Sequence, residues 1–277
     1  MFRLDRFLTL YCFQPLIRIK GNREPFIPIL MYHSISELPF RSSSPYYEIR
    51  TSPSVFQAQM QYLHDTGFTT LFPSEIIPWL NSPNSSSKRA VCLTFDDAYE
   101  NFMTAAFPVL QEFSFKSTVY VPTGLVGSTG PNGIKLLGWN QIRELSQMGV
   151  NFGSHTVSHP EMKKLTEEQL NFELIESKKS LEDSLGKLVP DFSHPFAFPE
   201  KDAAYIKSYR RLIDKSNYVT CMTTIIGSVK RSEDPKMMPR LPANDFDDLL
   251  LLSAKLNSSY NWLHRFQLSL KAFRQWT

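Results

Sequence analysis

Short apolar runs and longer amphipathic stretches alternate along most of the chain. The apolar runs have the length of strands, whereas the stretches between them space their apolar residues three or four positions apart, as helices do. The predicted strands cover residues 28–33, 68–71, 91–95, 117–121, 150–153, 192–198 and 218–222. The predicted helices cover residues 53–66, 102–113, 139–148, 166–185 and 203–212. This regular alternation predicts a parallel sheet covered by helices, an α/β fold.

Several helix boundaries carry capping signals. Ser52 is suited to the N-cap position, and Pro53 fits the first helical residue, where its missing N–H costs nothing. Thr166 and Gln169 have the spacing of a capping box. Gly186 can adopt the left-handed conformation that ends a helix.

The two ends of the chain differ in character from the middle. Residues 1–25 form a basic segment that mixes Phe and Leu with Arg and Lys, and residues 247–277 have the pattern of an amphipathic basic helix. Each end either packs on the central domain, residues 26–246, or lies on a membrane surface. Nowhere does the sequence contain the ~20 consecutive apolar residues that span a bilayer.

Charge and cysteine usage narrow the class of protein. A net charge of +3 gives no reason to expect a nucleic-acid partner. Cys12, Cys92 and Cys221 are far apart and outside any C-x-x-C pattern, so we expect free thiols. The apolar residues 7–13 end early and no small-residue cleavage site follows them, which argues against a secretory signal. We expect a cytoplasmic protein, with peripheral membrane contact as the alternative.

The strand at residues 91–95 runs directly into two carboxylates, Asp96 and Asp97. Neighbouring strand residues point to opposite sides, so the two carboxylates are expected to do different work. One can hold a metal ion while the other faces a substrate. Alternatively, Asp97 only caps a helix that starts near Ala98.

His155 and His159 form a second candidate site. Their spacing of four residues predicts that both imidazoles lie on one side of a helical turn, where they can bind one metal ion. Thr156 follows the first histidine where zinc proteases have Glu, so a catalytic base would have to come from Asp96. The alternative is a pair of loop histidines with ordinary hydrogen bonds.

Taken together, the two motifs resemble a known family. Thr94-Phe95-Asp96-Asp97 followed by His155-x-x-x-His159-Pro160 is similar to the NodB-type polysaccharide deacetylases, carbohydrate esterase family 4. The resemblance covers residues 29–244, and Leu30-Met31-Tyr32-His33 matches a subgroup with that opening motif. It implies a distorted, incomplete (β/α) barrel. In such barrels the chemistry lies at the carboxyl ends of the strands, where the Asp pair and His155 are predicted to lie.

The resemblance also implies a reaction. Asp97, His155 and His159 would hold Zn²⁺ or another divalent metal and leave positions open for water and substrate. Asp96 would act as general base while metal-bound water attacks an amide carbonyl. The implied enzyme is a hydrolase that removes N-acetyl groups from N-acetylhexosamine units of a polysaccharide or glycolipid. His33 would protonate the leaving amine, unless it is only a structural histidine.

Further substrate contacts follow from weaker matches. Phe198, Pro199 and Glu200 stand where the family has an oxyanion-binding segment, although Tyr is usual at the position of Glu200 and Gly at that of Lys201. The family's Gly after the Asp pair is replaced by an alanine, which suggests a backbone that needs no positive φ there.

Two more residues are candidates for the site. Trp139 could stack on a sugar, since sugars pack on aromatic faces, or it could belong to the core. Arg240 resembles an arginine that orients the catalytic Asp in the family, or it is a surface residue.

Two other functions use the same residues. The domain could bind a glycan without turning it over, as the replacements at Ala98, Glu200 and Lys201 would allow. A set of two histidines and one carboxylate could also hold ferrous iron in an oxygenase. The expected partner is an N-acetylated glycan, and a cytoplasmic enzyme would meet it as a lipid-linked precursor.

Overall fold

The computed structural model describes residues 3–20, 24–37, 48–86, 88–130, 133–264 and 266. Its strands alternate with helices, as the hydrophobic pattern predicts. The strands are β1 Phe26–Tyr32, β2 Ser34–Ile35, β3 Arg50–Thr51, β4 Phe68–Leu71, β5 Arg89–Phe95, β6 Thr118–Val121, β7 Asn151–Ser154, β8 Asp191–Ser193, β9 Thr220–Ile226, β10 Ser228–Lys230 and β11 Met238–Pro242.

Within the described residues, seven parallel strands close into a ring in the order β1-β11-β9-β8-β7-β6-β5. The closing contact pairs β5 with β1, from Ile29 opposite Cys92 to Tyr32 opposite Phe95. Strand β4 pairs in parallel with the first half of β5, and β10 pairs antiparallel with the start of β1. A complete (β/α) barrel has eight strands in its ring, so the predicted distorted, incomplete barrel is confirmed.

The limited space inside the barrel explains why residue 153 is a glycine. A Cβ atom on Gly153 of β7 would lie 2.4 Å from the ring of Tyr120 on the neighbouring strand β6. Tyr120 is fully buried and fills this space. The glycine therefore allows one large side chain to occupy the barrel interior beside β7.

The helices cover the outside of the barrel and carry most of the predicted caps. Thr166 accepts a hydrogen bond from the Gln169 N–H in a capping box, and Gly186 has a φ of +64° at the end of that helix. The helices are α1 Leu4–Leu8, α2 Gln14–Lys20, α3 Pro53–Asp65, α4 Ile76–Asn81, α5 Phe107–Glu112, α6 Trp139–Gln147, α7 Glu167–Leu185, α8 Ala203–Lys215 and α9 Leu249–Leu256. Residues 9–13 continue α1 into α2 as a π-helical turn.

One predicted strand is much shorter than expected. The run at residues 192–198 contributes only Asp191–Ser193 to the sheet. Pro195 and Pro199 have no N–H to donate to a neighbouring strand, and Phe196 has a φ of +56°. The chain therefore leaves the barrel after Ser193 and forms a loop at its carboxyl end.

The described part of the C-terminal tail is not one continuous helix. Helix α9 ends at Leu256, Ser258 has a φ of +61°, and a short helical turn resumes at Trp262. Tyr260 and Leu263 are buried, so this part packs on the barrel. Residues 265 and 267–277, which include the other half of the predicted helix, lie outside the described residues. No helix in the described ranges combines the length and apolar character that crossing a bilayer requires.

Candidate active site

The polar residues singled out by the sequence meet at the carboxyl edge of the barrel. Asp96 and Asp97 follow β5, His155 follows β7, and His33 follows β1. Carboxyl ends of parallel strands in a closed ring lie at the same edge, which brings together residues that are distant in sequence. A cavity of about 460 Å³ at this edge is lined by His33, Asp96, Asp97, His155 and His159.

The backbone turns sharply after Asp96. Asp97 and Ala98 have φ angles of +71° and +54°, both in the left-handed region. The expectation that Ala98 needs no positive φ is therefore wrong. The N-cap role for Asp97 is also wrong, because an N-cap residue has extended backbone angles and the next helical turn begins only at Phe102.

Asp97 lies against the two histidines. Its Oδ1 atom is 3.5 Å from His155 Nε2 and 3.2 Å from His159 Nε2. Burial alone would raise the pKa of Asp97, but the hydrogen bond from His159 and the nearby histidines hold it well below its usual range. One ligand atom from each of the three residues lies within 4.8 Å of the others. These donors, an ionised carboxylate and two imidazoles, suit a divalent transition metal.

His155 is oriented for this role by the neighbouring strand. Its Nδ1 atom lies 2.7 Å from the Ser193 carbonyl oxygen, so Nδ1 carries the proton and donates it to that oxygen. The lone pair on Nε2 then faces Asp97. Burial lowers the pKa of His155 to about 4, which keeps the ring neutral at physiological pH, as a metal ligand must be.

The two histidines do not lie on a helical turn, so that prediction is wrong. The segment 155–160 is a loop in which Thr156 and His159 have φ angles of +70° and +53°. The Thr156 Oγ1 atom accepts a hydrogen bond from the His159 N–H at 3.0 Å. On the other side the loop is held by Gly124, whose N–H donates to the Val157 carbonyl at 2.8 Å. The tight loop brings the two rings together, with centroids 4.8 Å apart.

Glu173 of α7 also fixes this loop, and the sequence reasoning missed it. Its Oε2 atom accepts hydrogen bonds from the N–H groups of Val157 and Ser158 at 2.7 and 3.0 Å. Its Oε1 atom accepts a hydrogen bond from Ser158 Oγ at 2.6 Å. Glu173 is a buried acid beside Leu170 and Leu174 on the apolar face of a helix, and that signal was available in the sequence.

Asp96 points to a different partner. The guanidinium of Arg240 donates to both of its oxygens, from Nη1 to Oδ1 and from Nη2 to Oδ2, each at 2.7 Å. Arg240 is buried and also donates to Ser193 Oγ at 2.9 Å. Burial by itself would raise the pKa of Asp96, but the Arg240 charge outweighs it and the pKa lies below its usual range. The Oδ2 atom lies 4.0 Å from His155 Nε2, so the paired carboxylate borders the cluster.

Comparison with known proteins decides the family. A sequence profile described as Polysaccharide deacetylase matches residues 84–212. YxkH of Bacillus subtilis (strain 168), which carries a provisional polysaccharide deacetylase name, is 30% identical over 215 residues, or 78% of this chain and 70% of that protein. The chain belongs to the polysaccharide deacetylase family.

Other members of the polysaccharide deacetylase family are similar over different lengths. The poly-beta-1,6-N-acetyl-D-glucosamine N-deacetylase of Staphylococcus epidermidis is 31% identical over 151 residues, covering 52% of this chain and 51% of that protein. The structure of Streptococcus pyogenes deacetylase PplD in complex with acetate has a TM-score of 0.67 and 26% identity, covering 87% of this chain and 97% of that chain. These findings confirm the predicted NodB-type family and the class of enzyme, a hydrolase of carbon–nitrogen bonds outside peptides.

In this polysaccharide deacetylase the cavity over the cluster has mainly apolar walls. Met31, Ile49, Leu125, Leu136 and Phe196 line it. Phe196 is 52% exposed, and its ring centroid lies 4.7 Å from that of His159. The sequence reasoning did not select Phe196, because the segment was predicted to be a strand and the loop that exposes this ring was not foreseen.

Three residues predicted to bind substrate lie away from this cavity. Phe198 is buried against Tyr205 and Tyr209 in a separate core cluster. Trp139 is partly buried against the main hydrophobic core. The Glu200 N–H, in the segment that resembles the family's oxyanion-binding segment, donates instead to the Phe198 carbonyl at 3.0 Å. The Glu200 carboxylate pairs instead with His264 of the tail, at 2.8 Å.

Proposed function

We propose that the chain is a metal-dependent N-deacetylase that removes N-acetyl groups from N-acetylhexosamine units of a polysaccharide or glycolipid. One observation carries this proposal: Asp97, His155 and His159 converge beside the Asp96–Arg240 pair under a cavity of about 460 Å³. The relative from Staphylococcus epidermidis, named as a poly-beta-1,6-N-acetyl-D-glucosamine N-deacetylase, supports a substrate of that class.

Asp97, His155 and His159 would hold the metal, and zinc is our choice. One carboxylate and two neutral imidazoles are a common donor set for catalytic zinc, which keeps at least one position open. When bound, such a cation supplies Lewis-acid chemistry, lowering the pKa of water and polarising a carbonyl oxygen. Asp97 contributes the negative charge, and the hydrogen bond from His155 to Ser193 keeps the correct nitrogen available.

Asp96 would accept the proton of the attacking water. Its Oδ2 atom is the oxygen that borders His155, so the proton would be held there. Arg240 keeps the carboxylate ionised and fixes its plane through two parallel hydrogen bonds. In this arrangement Arg240 is a positioning residue and does not contact the substrate.

His33 would protonate the leaving amine. It lines the same cavity as the cluster, from the end of β1, the strand that pairs with β5. A histidine can carry a proton at neutral pH and give it up to an amine, as this step requires.

The substrate would extend beyond the cluster along the loop after β8. A second cavity of about 420 Å³ is lined by Phe198 and Pro199 and shares His194 and Phe196 with the first. Neighbouring sugar units could occupy it, with Phe196 between the two cavities. In this proposal Pro199 contacts the glycan away from the reacting bond, and the mostly buried Phe198 supports this wall of the cavity from the core. The expectation that Glu200 binds substrate is not part of the proposal.

The Asp96–Arg240 pair favours hydrolysis over the two alternatives. An oxygenase needs no ionised carboxylate beside its iron, and a protein that only binds glycan needs no buried arginine to orient a carboxylate.

The free thiols of Cys12, Cys92 and Cys221 are consistent with a reducing compartment. We therefore propose a cytoplasmic enzyme, peripheral to the membrane, acting on an N-acetylated glycan that is free or lipid-linked.

The test is acetate release from β-1,6-linked N-acetylglucosamine oligomers by the zinc-loaded protein. The Asp96→Asn variant should lose about 10²-fold or more of the activity while its metal content stays the same. Asp65→Asn, at an exposed aspartate on α3, is the matched control. Full activity in Asp96→Asn would remove the base assignment. No release by the wild type from this or chitin-type oligomers, with zinc, cobalt or nickel, would refute the function.

A further inference from the structure

The N-terminal helical run, residues 4–20, is anchored along one face. The Asp5 carboxylate accepts a hydrogen bond from the Tyr260 hydroxyl at 2.7 Å, and Thr9 Oγ1 accepts one from Trp262 Nε1 at 2.9 Å. The Phe13 ring stacks on Trp262 with centroids 4.5 Å apart. These contacts fix the rotation of the run, because the same side faces the C-terminal segment at three successive turns.

The opposite face exposes a row of large apolar side chains. Leu4 is 51% exposed, Tyr11 65%, Leu16 52% and Ile19 83%, and Phe7 in the same row is 44% exposed. Leu4, Phe7 and Tyr11 are three or four positions apart, and Leu16 and Ile19 are three apart, as on one face of a helix. The five-residue step between Tyr11 and Leu16 crosses the wider π-helical turn of residues 9–13. Elsewhere in the described residues, exposed large apolar residues such as Leu188 and Val219 occur singly or in pairs. A row of this length is unusual on a protein surface that faces only water.

The charge of the chain is concentrated at its two ends. Residues 1–25 contain five basic and two acidic residues, and residues 257–277 contain three basic and no acidic residues. The rest of the chain is net negative, since the whole carries only +3. The anchoring contacts hold Trp262, in the described part of the C-terminal segment, against the helical run. The apolar row therefore belongs to a segment of the sequence that has an excess of basic residues.

We propose that this face of the N-terminal helical run docks on an anionic lipid bilayer, with the run lying in the plane of the interface. Apolar and aromatic side chains would enter the boundary of the acyl chains, and the excess of basic residues in this segment would favour anionic headgroups. A second copy of the chain fits less well, because the same row would bring two basic regions into contact. This proposal concerns where the protein binds and does not depend on the reaction it catalyses.

A natural cysteine allows a direct test. Cys12 is exposed on the helical run, whereas Cys92 and Cys221 are buried. A polarity-sensitive dye attached to Cys12 should shift to shorter wavelength when the protein meets vesicles of phosphatidylcholine with phosphatidylglycerol. Vesicles of phosphatidylcholine alone should bind the protein at least about tenfold more weakly. Added salt should weaken binding to the anionic vesicles.

Variants test whether vesicle binding depends on this apolar row or on exposed apolar residues in general. Leu16→Glu with Ile19→Glu should weaken sedimentation with the anionic vesicles about tenfold or more, and Leu16→Ser with Ile19→Ser repeats the comparison without added charge. The control pair Leu188→Glu with Val219→Glu changes equally exposed residues elsewhere. It should bind as the wild type does. Thermal unfolding and acetate release from soluble oligomers check that each variant is folded.

Three results would overturn the proposal. The first is a wild type that sediments with neither kind of vesicle, and the second is a control pair that loses binding as fully as the Leu16 and Ile19 variants. The third is a wild type that binds no vesicles and that light scattering shows to be a dimer, which the Leu16 and Ile19 variants convert to monomer. That last result would assign the face to a second copy of the chain.

Discussion

Asp96 and Asp97 are neighbours in sequence, yet their surroundings give them different chemistry. Asp96 is locked to Arg240 by two hydrogen bonds, and Asp97 lies against His155 and His159. The left-handed turn at Asp97 and Ala98 separates the two carboxylates. Two identical groups can therefore serve as base and as metal ligand, provided that each keeps its own partner.

The geometry of the arginine pair can be tested without changing its charge. Arg240→Lys retains the positive charge but cannot donate two parallel hydrogen bonds to one carboxylate. We expect kcat to fall about 10- to 100-fold, with metal content and KM little changed. Arg231→Lys is the matched control, since Arg231 bonds the Leu80 carbonyl far from the site. If Arg240→Lys kept full kcat, the charge alone would suffice and the proposed positioning role would be wrong.

Protonation of a metal ligand should make metal binding depend on pH. Burial alone would lower the pKa of His159, but the hydrogen bond and charge of Asp97 outweigh it and raise the pKa above its usual value. A protonated His159 cannot bind a metal, so the apparent affinity should fall as pH drops below that pKa. The slope should approach about tenfold per pH unit for one displaced proton. Zinc titrations from neutral to mildly acidic pH measure this, and an affinity that stays constant over that range would contradict it.

At the scale of elements, the helix ends and strands that depend on local signals could be predicted from the sequence. The capping box at Thr166, the left-handed end at Gly186 and the strand before Asp96 follow from a few adjacent residues. The histidine loop could not be predicted, because its shape depends on positive φ at Thr156 and on contacts from Glu173, which lies on another element. Spacing alone indicated a helical turn, and tertiary contacts overrode it.

Helix α7 therefore has a proposed role at the site. Glu173→Gln removes the charge and one of the two acceptor oxygens that hold the loop at Val157 and Ser158. We expect metal affinity to fall about 10- to 100-fold, since supporting contacts to a ligand loop have effects of that size. Asp183→Asn, at an exposed residue on the same helix, is the control and should bind metal normally. Weaker unfolding stability with unchanged metal affinity would make Glu173 only a structural residue.

At the scale of the whole molecule, the two ends of the chain are joined by buried polar contacts. Arg3 pairs with Asp5 at 2.6 Å and with Asp247 at 3.3 Å, and Lys255 pairs with Asp247 at 2.6 Å. Each basic end was predicted to pack on the domain or to meet a membrane, but no sequence pattern indicated that the ends bind each other. Contacts between residues more than 240 positions apart cannot be read from local periodicity. The same contacts position the exposed apolar row.

This junction between the two ends should make the free energy of unfolding depend on pH in the acidic range. Burial of Asp5 favours its neutral form, but the hydrogen bonds from Arg3 and Tyr260 outweigh this and lower its pKa from 3.8 to about 2. A group whose pKa is lowered by folding stabilises the folded state fully above its unfolded pKa. That stabilisation is lost as pH falls from about 4 to about 2. In Asp5→Asn the free energy of unfolding should be lower near neutral pH and should fall less steeply over this range. Urea titrations at several acidic pH values measure both, with Asp183→Asn, at an exposed residue of α7, as the control. Parallel pH profiles for wild type and Asp5→Asn would show that the junction contributes nothing to acid sensitivity.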